Sequence, residues 1–148
     1  REKRGLAYSV YSFAASYADA GLVGLYAGCS PKRAGTVAEL MLAEFRRMAS
    51  DGVSDEELRR AQGQLGGSSA LALEDSDTRM TRLGRSELTF GEFSDLDETL
   101  RRIAAVTTAD VQKLAAELVE RPLSVAAVGS IPAGALEAVA DAPAAGAA

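Results

Sequence analysis

The 148-residue sequence contains no histidine and only one cysteine, and this scarcity excludes much of the chemistry that enzymes use. Structural zinc sites are built mainly from cysteine and histidine, so none of the usual ligand sets can form within this sequence. Without histidine there is neither a zinc-binding H-x-x-E-H motif nor a Ser–His–acid triad. Cys29 has no partner for a disulfide or a Cys–His pair, and we interpret it as a small buried thiol in a reducing compartment.

Long apolar runs and a basic surface are missing as well. No run approaches the roughly 18 apolar residues of a membrane-spanning helix, and the chain opens without a secretory signal peptide. The net charge of −5 argues against nucleic acid as a partner, because phosphate binding needs a concentrated basic face. The row Arg79, Arg82 and Arg85 lies among acids, and we interpret it as a solvated, salt-bridged helix face. We predict a cytoplasmic protein that contacts neither nucleic acid nor membrane.

Two apolar runs near the start of the chain predict a pair of strands. Residues 6–14 are rich in aromatic and small side chains and lack Pro and Gly, and residues 21–29 form a second run. Residues 15–20 between them are few enough for a hairpin loop. Gly24 and Gly28 share one face of the second strand, which indicates that another group packs closely against that face.

The middle of the sequence has the apolar periodicity of helices, together with their start signals. Ser30 followed by Pro31 begins one helix, and Ser54 to Glu57 form a capping box that begins another. Thr108 is predicted to cap the last long helix. Met80 and Leu83 are expected to turn inward. The predicted helices cover residues 31–51, 55–72, 77–88, 96–104, 108–118 and, as a short final helix, 131–140.

The order of these elements predicts the fold class. Pro122 ends the last long helix, and Leu123 to Gly129 is typical of a buried strand. Strands followed by helices predict an α+β fold, a two-layer sandwich in which helices cover one face of an antiparallel or mixed sheet. Because three strands are few for so many helices, we expect further strands upstream of Arg1 and a domain truncated at its N-terminal side. Residues 1–140 are predicted to form this domain, and 141–148 a flexible Ala/Gly/Pro tail.

The opening segment holds the candidate site residues. Arg1 to Arg4 form a charged turn directly before an aromatic-rich strand, so Arg1 and Tyr8 can point into one cleft at the start of that strand. The alternative makes Tyr8 a half-buried strand aromatic and Arg1 a frayed terminus. The residue types alone leave both interpretations open.

The segment Arg-Glu-Lys-Arg-Gly-Leu-Ala-Tyr that opens the chain resembles a segment of the pitrilysin, insulin-degrading-enzyme and mitochondrial-processing-peptidase family. That segment opens the catalytic part of the C-terminal half in the small bacterial members. The resemblance extends over nearly the whole chain apart from the tail, and it implies a half-domain of the LuxS/MPP-like metallohydrolase fold. Further matching segments are Ala18 to Leu22, Tyr26-Ala27, Ser30 to Lys32, Asp55 to Ala61, Thr107 to Val111 and Val128-Gly129.

This resemblance also implies a function. In the family, two homologous halves close around a peptide, and the N-terminal half holds zinc through an inverted H-x-x-E-H motif and a more distant Glu. The C-terminal half contributes an Arg and a Tyr, seven residues apart, that hydrogen-bond the substrate backbone near the scissile bond. Arg1 and Tyr8 match that pair in type and spacing, whereas none of the zinc-binding residues has a counterpart in this sequence.

The resemblance thus implies the substrate-binding, C-terminal portion of a zinc metalloendopeptidase. This portion is expected to be inactive alone, with the zinc in the missing N-terminal half, and its partners are that half and a peptide. An exposed sheet edge would also favour pairing with a second copy of the chain. The alternative is a non-catalytic scaffold subunit of the same family, which would have no chemical need for Arg1 and Tyr8.

Overall fold

The computed structural model describes residues 4–93 and 95–140 as a mixture of strands and helices, which confirms the α+β class. One compact unit is formed by the residues before Asp51 together with those after Lys113, and the other by Asp51–Lys113. None of the helices in the described part of the chain has the length and apolar character needed to cross a membrane. In chain order the elements are β1 (Ala7–Ser16), β2 (Gly21–Cys29), a 3-10 turn (Pro31–Arg33), α1 (Ala34–Asp51), α2 (Asp55–Ala72), α3 (Ser76–Phe90), α4 (Leu96–Ala105), α5 (Thr108–Val119) and α6 (Glu137–Ala140).

The two predicted strands form an antiparallel hairpin. β1 pairs with β2 along nearly its whole length, and the last pair is Ser16 opposite Gly21. The turn is closed by the backbone N–H of Tyr17, which donates to the carbonyl of Ala20 at 2.8 Å. Both strands and the short loop between them were therefore predicted correctly.

The hairpin has one aromatic and one aliphatic face, and both are open to solvent. Tyr11 stacks on Tyr26 with 4.7 Å between ring centroids, and Phe13 lies on the same face. Val23 and Leu25 lie on the opposite face, because successive side chains of a strand alternate. Each of these five side chains keeps between 43% and 53% of its surface exposed. Neither face is therefore packed into a core by the residues that the structure describes.

The small core of the hairpin-containing unit takes in the start of β1. Among the described residues, its buried apolar side chains are Ala7 of β1, Val37, Ala115 and Val139. Gly35, near the start of α1, approaches the carbonyl oxygen of Ala135 so closely that a Cβ would clash with it. This close approach holds the start of α1 against the segment that leads into α6.

Capping boxes begin α2 and α5. The Ser54 hydroxyl accepts from the N–H of Glu57 at 3.2 Å, and the Glu57 carboxylate accepts from the N–H of Ser54 at 2.9 Å, as predicted. In α5 the capping residue is Thr107 and not Thr108. The reciprocal box needs a carboxylate three residues after the hydroxyl, and Asp110 supplies it for Thr107.

The Asp51–Lys113 unit is held together by polar contacts between its helices. Gln62 of α2 donates from Nε2 to the carbonyls of Ile103 and Val106 at 3.1 and 3.0 Å, which joins α2 to the end of α4. Arg82 of α3 donates to the hydroxyl of Thr99 at 2.8 Å and lies 5.8 Å from the ring centroid of Phe93. These contacts join α4 to α2 and to α3.

Besides the Thr108 cap, three further sequence predictions were wrong. Leu123 to Gly129 forms no strand, and Val128 is fully exposed, because this segment finds no neighbouring strand within the described residues to satisfy its backbone groups. The final helix covers only Glu137–Ala140, since Pro132 and Gly134, with φ of 77°, interrupt the predicted range. Met80 and Leu83 are 64% and 50% exposed, because α3 packs through its polar contacts to α4 and not through these two side chains.

We expect the isolated chain to self-associate through the open hairpin, because association would remove apolar surface from water and pair the exposed strand edges. Leu25→Lys should weaken this association, whereas Gln64→Lys, which adds the same charge at an exposed position of α2, should leave it unchanged. Sedimentation velocity over a range of concentrations measures both effects. A wild-type chain that stays monomeric at high concentration would contradict this expectation.

Three carboxylates of the Asp51–Lys113 unit are predicted to make its stability depend on pH in the acidic range. The hydroxyl of Thr78 lowers the pKa of Asp75, that of Thr107 lowers the pKa of Asp110, and the Arg102 guanidinium lowers the pKa of Glu98. A carboxylate whose pKa is lower in the folded state stabilises that state above its unfolded pKa. This stabilisation is lost as the pH falls through the folded pKa.

The free energy of unfolding should therefore decrease as the pH falls below about 4, where free carboxyl groups begin to protonate. Asp75→Asn keeps a capping side-chain oxygen but cannot titrate, so its unfolding should depend less on acid than that of the wild type. Thermal unfolding followed by circular dichroism between neutral and acidic pH tests this. Identical pH profiles for the two proteins would rule out a contribution from Asp75.

Candidate functional site

Of the two predicted site residues, Tyr8 is described by the structure and Arg1 lies outside the described residues. Tyr8 lies at an irregularity in the pairing of β1 with β2. Ala7 is opposite Cys29 and Ser9 is opposite the next residue, Gly28, so Tyr8 is the extra residue of a β-bulge. A bulge turns a side chain out of the regular alternation of a strand. Here that side chain is Tyr8, one of the two predicted site residues.

The ring of Tyr8 lies over Gly28 of the neighbouring strand. A Cβ built on Gly28 would lie 2.6 Å from Cε2 of the ring and 3.2 Å from Cζ, closer than a side-chain carbon can approach. The ring of Phe13 lies over Gly24 in the same way. The prediction that both glycines allow close packing is therefore confirmed.

The rest of Tyr8 faces solvent. The residue is 73% exposed, and its hydroxyl has no hydrogen-bond partner among the residues that the structure describes. Within the described residues Tyr8 is therefore more exposed than the half-buried strand aromatic of the alternative interpretation. It presents an exposed hydroxyl at the start of β1, while its ring is supported from one side by Gly28.

A second contact holds the backbone before Tyr8. Gly5 has a left-handed conformation with φ of 55°, which favours glycine, and its carbonyl accepts a hydrogen bond from Nη1 of Arg33 at 2.5 Å. Arg33 belongs to the 3-10 turn that follows β2, so this bond ties the entry of β1 to the exit of β2. No local pattern indicates Arg33, because the contact joins residues far apart in the chain.

The described residues around Tyr8 supply a candidate hydrogen-bond donor for a ligand. Tyr8 offers a neutral phenolic hydroxyl, while the Arg33 guanidinium binds the carbonyl of Gly5 in the segment that leads to Tyr8. A positioned donor favours an oxygen atom that gains negative charge. Such a site can bind or polarise a carbonyl group.

The described residues do not fit a zinc ion. They contain no group of three or more His, Cys, Asp or Glu side chains that could hold a metal. Cys29, at the end of β2, is partly buried and reduced, and no metal-ligating group surrounds it in this part of the chain. A single thiol cannot replace the three or four ligands of a zinc site.

Comparison with known proteins shows that the region around Tyr8 is similar to a known protein family. Residues 1–65 match the family described as the peptidase M16 inactive domain. An uncharacterized zinc protease of Streptomyces coelicolor is 46% identical over 131 residues, which are 88% of this chain and 28% of that protein. An uncharacterized zinc protease of Mycobacterium tuberculosis is 43% identical over 87% of this chain and 30% of its own length.

More distant proteins share the same region. The beta subunit of the mitochondrial-processing peptidase of Saccharomyces cerevisiae is 31% identical over 84% of this chain and 28% of that subunit. A chain in the structure of complex III2 from Candida albicans with Inz-5 bound has the same fold, with a TM-score of 0.67 and 24% identity over 73% of this chain and 26% of that chain. This chain spans less than a third of the length of the curated relatives described here.

We predict that the isolated chain binds no stoichiometric zinc and cleaves no peptide, because the sequence lacks histidine and the described residues hold no group of side chains suited to a metal. Equilibrium dialysis against zinc, followed by metal analysis, measures the first property, and a fluorogenic peptide assay measures the second. A Cys29→Ser variant controls for weak binding to the thiol. Tight binding of one zinc ion per chain, or turnover that persists after contaminating proteases are removed, would contradict the prediction.

Proposed function

Because the chain belongs to the peptidase M16 family, we propose that it is the zinc-free, substrate-binding C-terminal portion of a zinc-dependent metalloendopeptidase. The observation that carries the proposal is the exposed side chain of Tyr8, which lies at a bulge within the residues that match the inactive domain of the family. The names of the relatives as zinc proteases support the reaction class. The zinc-binding half of the same protein and a peptide are the proposed partners.

We further propose that the hairpin is part of a larger sheet in the intact protein. Its aromatic and aliphatic faces are both about half exposed, and the chain spans only 28% of the Streptomyces relative. Further strands and a covering layer of helices, supplied from outside this chain, would complete a two-layer sandwich. This arrangement would also cover the apolar side chains that the hairpin leaves open to solvent.

In this proposal Tyr8 stabilises the transition state of peptide hydrolysis. The carbonyl oxygen of the scissile bond gains negative charge as the tetrahedral species forms, and a positioned donor lowers the energy of that species. The hydroxyl of Tyr8 suits this role because it is a neutral donor on a side chain with few rotatable bonds. It has no partner among the described residues, so no hydrogen bond within this part of the chain needs to be broken before substrate binds.

Arg1 is proposed to hold the substrate in register. A guanidinium presents several donors in a planar fork, which suits the carbonyl groups of an extended peptide backbone. Its interactions would form in the substrate complex as well as in the transition state. Its contribution should therefore appear mainly in binding, whereas that of Tyr8 should appear mainly in the chemical step.

The test is Tyr8→Phe in the full-length protein, assayed with a good peptide substrate. Loss of one transition-state donor costs about 3 kcal/mol, so we expect kcat to fall on the order of a hundredfold, with zinc content and Tm nearly unchanged. Tyr17→Phe is the matched control, because Tyr17 is a similarly exposed tyrosine in the turn of the same hairpin. Arg1→Ala should raise KM more than it lowers kcat.

Wild-type kcat in the Tyr8→Phe protein would refute the proposed role of Tyr8. An equal loss of kcat in the Tyr17→Phe protein would attribute the effect to the hairpin as a whole and would refute the role as well. The kinetic constants need to be separated by full saturation curves, because kcat/KM alone does not distinguish Tyr8 from Arg1.

A further inference from the structure

The backbone conformation of Gly28 does not require a glycine. Its φ does not lie in the left-handed region, unlike those of Gly5 and Gly134, so an alanine could adopt the same conformation. A glycine inside a strand also weakens that strand, because it has no side chain to pack. The feature that requires glycine here is space, since the ring of Tyr8 occupies the position that a Cβ would take.

Because Tyr8 lies at a bulge, the direction of its side chain depends on the space over Gly28. A regular strand residue has its side-chain direction set by the pleat, but the extra residue of a bulge is released from that alternation. Tyr8 is 73% exposed, and its ring lies over the buried Gly28. The hydrogen bond from Arg33 to the carbonyl of Gly5 holds the backbone of the segment that precedes Tyr8.

We propose that Gly28 is a positioning residue that sets the location of the Tyr8 hydroxyl by leaving room for its ring. This inference rests on the proposed function, in which that hydroxyl meets the scissile carbonyl. Gly28 itself touches neither substrate nor reacting atoms, and it acts only through Tyr8.

The test is Gly28→Ala in the full-length protein. Carbon atoms in ordinary contact are about 3.5 to 4.0 Å apart, so a Cβ at 2.6 Å from Cε2 would displace the ring by about 1 Å. Misplacement of a catalytic group by about 1 Å can cost on the order of a hundredfold in rate, so we expect kcat to fall by at least about tenfold. KM and Tm should change little, because the exposed ring is free to swing away.

Gly24→Ala is the matched control. It adds the same methyl group to the same strand and displaces the ring of Phe13, which has no part in the proposed chemistry. We expect wild-type kcat for this variant. An equal loss of kcat in Gly24→Ala and Gly28→Ala would indicate a general effect on the hairpin and would overturn the inference.

A double variant separates positioning from simple damage to the fold. If Gly28 acts only through the Tyr8 hydroxyl, adding Gly28→Ala to Tyr8→Phe should lower kcat no further. Full additivity of the two losses would overturn the inference. Wild-type kcat in Tyr8→Phe would instead refute the proposed function, and wild-type kcat in Gly28→Ala beside a slow Tyr8→Phe would refute only the inference about Gly28.

A measurement without substitutions keeps the inference testable if Gly28→Ala fails to fold. Nuclear Overhauser contacts between the ring protons of Tyr8 and the α protons of Gly28 should be strong in the full-length protein, as the contact distance requires. Their absence in the folded wild-type protein would overturn the inference.

Discussion

The pairing of β1 with β2 is the constraint on which the account of this protein depends. The register leaves one extra residue on β1 between Ala7 and Ser9, and this residue is Tyr8. The same register places Gly28 and Gly24 beneath aromatic rings of the opposite strand. A shift of the pairing by one residue would remove both supports and would turn Tyr11 and Tyr26 away from each other, because it moves every side chain to the other face.

The hairpin also indicates how the chain fits a larger protein. Aromatic and aliphatic side chains cover its two faces without entering a core, and a two-stranded ribbon alone is marginally stable in water. A chain that matches less than a third of each curated relative described here is expected to leave such surfaces for the remainder of the protein to cover. The described residues also leave Tyr8 exposed, and they hold no group of three or more His, Cys, Asp or Glu side chains that could bind a metal.

Local signals in the sequence predicted most of the elements. The two apolar runs that became β1 and β2, the Ser54 capping box and the close packing at the two glycines were all predicted correctly, because each depends on near neighbours in the chain or on one pair of strands. The segment from Leu123 to Gly129 has the composition of a strand, but a strand needs a partner that sequence composition does not supply.

The candidate site, like the fold, could be predicted only in part. Tyr8 was found through a family resemblance, whereas the bulge that re-aims it and the Arg33 bond to Gly5 depend on contacts between distant parts of the chain. A structure of the full-length protein with an uncleavable peptide bound would test the central claim most directly. The account predicts the Tyr8 hydroxyl oxygen about 3 Å from the oxygen of the scissile carbonyl or its analogue. A bound peptide whose scissile carbonyl lies far from Tyr8 would contradict it.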